Sequence, residues 1–84
     1  MIHPIRGTAI ISLAGRDKSR YMVVMSAEDN YVYVADGDLR SVESPKKKNI
    51  KHIAVTNTVF EEESLLNDKS LIRVIKERFN AQHR

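Results

Sequence analysis

Turn-forming residues cut the first 57 positions of this chain into apolar runs no longer than a typical strand. The breaks fall at Gly15, at Glu28, Asp29 and Asn30, at Asp36 and Gly37, and at Pro45, and such spacing leaves no room for helices of ordinary length. The first run, GTAIISL (residues 7–13), is rich in β-branched side chains, and a period of two sets Ala9, Ile11 and Leu13 on one face. RYMVVMSA (20–27) follows the Gly15 loop. YVYVA (31–35) alternates strictly, with Val32 and Val34 to one side and Tyr31 and Tyr33 to the other. Asp36 and Gly37 form a dipeptide favoured in tight type I′ hairpins, since glycine accepts φ > 0 without steric cost. A fourth strand is expected over 39–42 and a fifth over 51–55, with Pro45 and the lysine run between them forming a loop or an irregular edge.

Short strands punctuated in this way point to a small five-stranded antiparallel barrel. The chain has 84 residues and no cysteine, so no disulfide supports it, and a chain of this size buries only about 60% of the surface its unfolded form exposes. A rolled sheet suits that limit, because it leaves few open edges and fills its centre with every second side chain. Such a centre has no space for a ligand. Any binding surface must lie on loops or on an exposed face.

Beyond residue 57 the period changes to that of a helix. Leu71, Val74, Ile75, Arg78 and Phe79 share one stripe. Asp68 or Ser70 is suited to cap its start and Asn80 its end, and a weaker helical turn is expected over 60–66. The organisation expected is a sheet unit over 1–57 and a helical extension over 58–84. In the first reading the extension buries Leu71, Ile75 and Phe79 against the sheet; in the second it receives a partner.

The charge is uneven. Residues 1–57 hold nine Lys and Arg against six Asp and Glu, whereas 58–84 hold five of each. Within the first part, Arg40, Lys46, Lys47, Lys48 and Lys51 stand against Glu43 alone. A concentrated basic block is the footprint of a protein that meets phosphates, although a solvated lysine loop has the same composition. Chemistry of other kinds lacks its residues. His3, His52 and His83 show no metal-ligand spacing, three glycines are too few for a phosphate-cradling loop, and no nucleophile sits beside a histidine and a carboxylate. Neither catalytic residues nor a metal or cofactor site are expected. No apolar run reaches the length of a signal peptide or membrane span, so a cytoplasmic protein is expected.

The loop LAGRDKSRYMVV carries the most information. Gly15 stands where the chain reverses, a position suited to φ > 0, and Asp17 can fold back on its own backbone. Those needs do not explain why Arg16, Lys18 and Arg20 are all basic and spaced by two, which on an extended segment projects them to one side. At these residues the sequence resembles the KOW motif, a strand, a glycine–basic–Asp–Lys–Gly–basic loop and a second strand, found in translation and transcription proteins with SH3-like barrels. GTAIISLAGRDKSRYMVV supplies the first strand, Gly15, Asp17, Lys18 and the return strand in order. The ADG turn, LR, the PKKK block and KHI that follow are similar to the continuation in small bacterial KOW proteins related to an archaeal and eukaryotic large-subunit ribosomal protein family. The resemblance covers residues 7–57. Ser19 departs from it, standing where the motif most often has a second glycine.

The resemblance implies a non-enzymatic RNA-binding protein, with ribosomal RNA of the large subunit as the expected partner. Arg16, Lys18, Arg20, Arg40, Lys46, Lys47, Lys48 and Lys51 are the candidate phosphate contacts, and Gly15 and Asp17 shape the loop. Tyr31 and Tyr33 either stack unpaired bases or pack against the body of the protein. His52 either faces a partner or lies half-buried in its strand. A monomer is expected. The alternative function is a protein–protein adaptor, since SH3-like barrels also bind polypeptides.

Overall fold

A computed structural model describes residues 3–80; residues 81–84 of the expected helical extension, His83 among them, lie outside the described residues. Five strands form one antiparallel sheet: β1 (Thr8–Ser12), β2 (Tyr21–Ala27), β3 (Tyr31–Ala35), β4 (Lys46–Asn49) and β5 (Ile53–Val59). Their spatial order is β4-β3-β2-β1-β5. A 3₁₀ turn (Ile50–His52) joins β4 to β5, a second (Glu62–Leu65) follows β5, and helix α1 spans Asp68–Phe79. The mainly β class and the C-terminal helix agree with the sequence reading.

The central strand explains the apolar run YMVVM. β2 is third in the order and is buried on both faces, so it is nearly continuously hydrophobic where a half-exposed strand alternates. Met22 and Val24 join Ile10, Val32, Val34 and Ile53 in one cluster, while Val23 and Met25 join Ala35, Leu65, Leu71 and Ile75 in the other. Helix α1 covers the second cluster. The first lies on the opposite face of the sheet. β4 and β5 are the two outer strands, which a flat sheet would separate by about 19 Å, yet one 3₁₀ turn connects them, spanning about 8 Å.

Three local expectations change. In β1 both faces are buried at Ala9 and Ile10, and of the set Ala9, Ile11 and Leu13 only Ala9 is buried, Ile11 being half-buried and Leu13 49% exposed. Residues 39–42 are not a strand. Asp36 draws that backbone inward, its Oδ1 accepting from the N–H groups of Asp38 and Arg40 at 2.9 Å each, and a segment curled around one carboxylate cannot join a ladder. The lysine run, expected as a loop or irregular edge, is the regular edge strand β4, paired with β3 in the register Val32 to Lys48, Tyr33 to Lys47 and Val34 to Lys46.

The helix is held at both ends. Asn67, rather than Asp68 or Ser70, caps it, its side chain accepting from the Ser70 N–H at 2.9 Å, and Asn80 ends it with φ +51°. Asp68 instead reaches sideways, accepting from the Val42 N–H at 2.8 Å and the Ser41 hydroxyl at 3.0 Å. Phe79 stacks on Tyr21 with ring centroids 3.9 Å apart. β5 ends at Val59, so the boundary expected at residue 57 falls within a strand.

Gly37 marks where the 36–40 turn meets the helix. Its φ is +83°, and a Cβ there would lie 2.5 Å from the Asp68 carbonyl oxygen and 2.9 Å from Ile72 Cγ1. Gly37→Ala therefore meets both the left-handed backbone penalty and a backbone clash, a combined cost of about 2–4 kcal/mol. Urea unfolding measures this, and a change below about 1 kcal/mol contradicts the close approach.

Candidate nucleic-acid interface

The alternation that separates valines from tyrosines in β3 also separates the lysines of β4. Lys46 and Lys48 share the inner face with Val34 and Val32, and Lys47 shares the outer face with Tyr33. The inner-facing lysines reach across to the β1–β2 loop. Lys48 is only 5% exposed, and its Nζ donates to the Ala14 carbonyl at 2.6 Å and to Asp17 Oδ1 at 2.8 Å. Lys46 Nζ lies 3.3 Å from Asp17 Oδ2, and the Ser12 hydroxyl donates to Asp17 Oδ1 at 2.7 Å. Asp17, 3% exposed, thus ties the end of β1, its own loop and the edge strand together. This is more than the local turn role expected of it.

Burial alone would raise the Asp17 carboxyl; the hydrogen bonds from Lys48, Ser12 and Lys46, with the Lys48 charge, outweigh it and hold the group at about 2. In the unfolded chain an aspartate titrates near ~3.9. Its contribution to stability is therefore complete above about pH 5 and is lost as pH falls toward 2.

The loop itself is a compact turn, not an extended segment. Lys18 N–H donates to the Gly15 carbonyl at 3.2 Å, and Arg20 N–H to the Asp17 carbonyl at 3.0 Å. Gly15 has φ +88°, as expected, and Ser19 has φ +76°. The serine thus occupies a left-handed position that favours glycine. Arg20, half-buried, closes this turn. Its guanidinium is committed to Asp36 Oδ2 at 3.0 Å and Asp38 Oδ2 at 3.2 Å. Asp36, 1% exposed, joins this pair to the backbone curl described above and so fixes where Arg40 emerges.

These constraints sort the eight candidate phosphate contacts. Arg16, Lys18, Arg40, Lys47 and Lys51 are exposed, Arg20 and Lys46 are half-buried, and Lys48 is buried. The buried, internally bonded Lys48 ammonium has no surface to offer, which removes it from the candidate contacts and makes it a structural residue. Arg16, Arg40 and Lys46 come together with Asp17 and Leu39 around a pocket of about 180 Å³. Lys51 stands apart in the turn after β4, and Lys47 lies over the Tyr31 ring, 4.2 Å from its centroid. Tyr31 and Tyr33 are half-buried and meet edge to face at 5.7 Å, while the aromatic contacts to Phe79 come from Tyr21 and Phe60. His52 is exposed. Two participants escaped the sequence reading, Leu39 in the pocket wall and Asp36 behind it; the acidic alternation of Asp36 and Asp38 just before Arg40 was the available signal.

Compared with models of known protein families and with curated proteins, the chain matches none. No helix among the described residues is long and apolar enough to cross a membrane.

Asp17→Asn leaves the Lys48 ammonium buried without its counter-charge and is expected to cost about 3–5 kcal/mol, with Asp17→Asn/Lys48→Met recovering most of the loss. Thermal unfolding at pH 7 checks this, and the double variant should also lose part of the wild type's stability change between pH 5 and 2. A double variant no more stable than Asp17→Asn contradicts the pairing. Ser19→Gly relieves the left-handed serine and should stabilise by about 1 kcal/mol.

Proposed function

We propose that this chain is a non-enzymatic RNA-binding protein with an SH3-like, KOW-type barrel, and that its basic pocket seats backbone phosphates of structured RNA, ribosomal RNA of the large subunit being the expected target. One observation carries the reading. Arg16, Arg40 and Lys46, drawn from three separate stretches of chain, line a single pocket. Among the described residues Arg16 and Arg40 have no ion-pair partner. Cations converging on one concavity repel each other in the free protein and gain most from a polyanion, whose phosphates relieve that repulsion.

Register supports the barrel. Asn49 pairs with Tyr31 at one end of β3, and Ile53 pairs with Ser12 at the end of β1. Followed through the ladders to β2, these positions differ by about eight residues, or about 26 Å along a flat sheet. Four peptide units from Asn49 to Ile53 reach at most about 15 Å. A sheet rolled with a large stagger reconciles the two, as barrel closure does. The KOW reading draws support from the left-handed backbone at Gly15 and at Ser19, the two positions where that motif most often carries glycine.

With about four phosphates engaged, affinity for deproteinised large-subunit ribosomal RNA should fall roughly 50- to 150-fold between 50 and 200 mM salt. Arg16→Gln/Arg40→Gln should lower the log–log salt slope by about 2 and leave the melting temperature unchanged. Absence of binding at 50 mM salt overturns the reading and favours the adaptor, with its partner surface around Tyr31 and Tyr33.

A further inference from the structure

Helix α1 turns its apolar stripe to the sheet, which leaves the opposite face to be explained. Leu71 and Ile75 are buried there, whereas Lys69, Arg73 and Lys76 are exposed. At 100° per residue those three cations fall within an arc of about 60° and span about 10 Å along the axis. Together with Asn67, Ser70 and Ile72 they line an open groove of about 490 Å³. None of the three forms an ion pair among the described residues. Asp68, the carboxylate next to Lys69, is turned away onto Ser41 and Val42, and Glu77 flanks the stripe about 80° around the helix from Lys69.

The groove adjoins the pocket of the β1–β2 loop. The 36–40 turn is the wall between them: Leu39 and Arg40 line the pocket on one side, and Gly37 lies against Asp68 and Ile72 on the other. The two hydrogen bonds that Asp68 accepts, from the Ser41 hydroxyl and the Val42 N–H, lock the start of the helix to the segment that follows Arg40, so the two basic surfaces keep a fixed relation. The described fold measures only 28 Å in its longest dimension. A polyanion seated in the pocket has the second row of cations beyond the 36–40 turn.

We infer that the outer face of α1, through Lys69, Arg73 and Lys76, is a second phosphate-contact surface for the same RNA, so that the helix extends the footprint of the pocket. This rests on the RNA-binding reading proposed above. Charge decides the occupant: three cations that form no ion pair among the described residues line one open groove and favour a phosphate backbone, and Ile72 is the one hydrophobic residue in its lining.

The test compares the full chain, Arg16→Gln/Arg40→Gln and Lys69→Gln/Arg73→Gln/Lys76→Gln for binding to deproteinised large-subunit ribosomal RNA between 50 and 200 mM salt. The helix variant should lower the log–log slope by about 1, and RNA should protect Lys69 and Lys76 of the wild type from acetylation. If the helix variant keeps the wild-type slope while the pocket variant loses its share, the inference fails and the RNA-binding reading stands. Unchanged acetylation of Lys69 and Lys76 in the presence of saturating RNA overturns it as well. If the wild type binds no RNA at 50 mM salt, the RNA-binding reading falls, and the inference falls with it.

Discussion

The pair between Asp17 and Lys48 holds the two ends of this fold together. One partner comes from the loop between β1 and β2, the other from the edge strand, and both are withdrawn from water. A buried ion pair adds little net stability compared with apolar packing, because desolvation offsets its attraction. It does constrain geometry, since a buried carboxylate must have its donors. Ser12, Lys46 and Lys48 satisfy Asp17 only when the edge strand is drawn over the end of β1. The reach of Lys46 and Lys48 across to the β1–β2 loop meets that one requirement.

A second carboxylate works in the same way. Asp36 accepts two backbone N–H groups and the Arg20 guanidinium, turning a stretch that might have been a strand into a compact wall carrying Leu39 and Arg40. The acidic residues of the first 57 positions are thus not mere dilution of a basic surface. Two of them select which cations are structural and which remain for a partner. A count of net charge merges the two groups; geometry separates them.

Much of this was legible in the sequence. β2, β3 and the apolar stripe of α1 announce themselves by period, and Gly15 by its place between strands. The lysine run did not read as a strand because lysine has low strand propensity and its alternation is invisible when three identical residues stand in a row. Only pairing with Val32, Tyr33 and Val34 gives those lysines different fates. The curl of residues 36–40 was hidden for another reason: aspartate followed by glycine signals a hairpin turn, and nothing local says that the carboxylate will be buried and fully bonded. Likewise, the choice of Asn67 over Asp68 as the helix cap depends on Ser41 and Val42, far away in sequence, competing for the aspartate.

Placing the lysines in an edge strand has a consequence for self-association. An outer strand offers unpaired backbone groups to any other strand that approaches, and a second copy of the same molecule is the most abundant candidate. Two β4 strands brought side by side would set ammonium groups against ammonium groups, and like charges directly opposed across a ladder are destabilising. The exposed Lys47 and the half-buried Lys46 therefore guard the edge on which they lie. The same charge that favours a polyanion also disfavours fibre-like growth of the protein through β4.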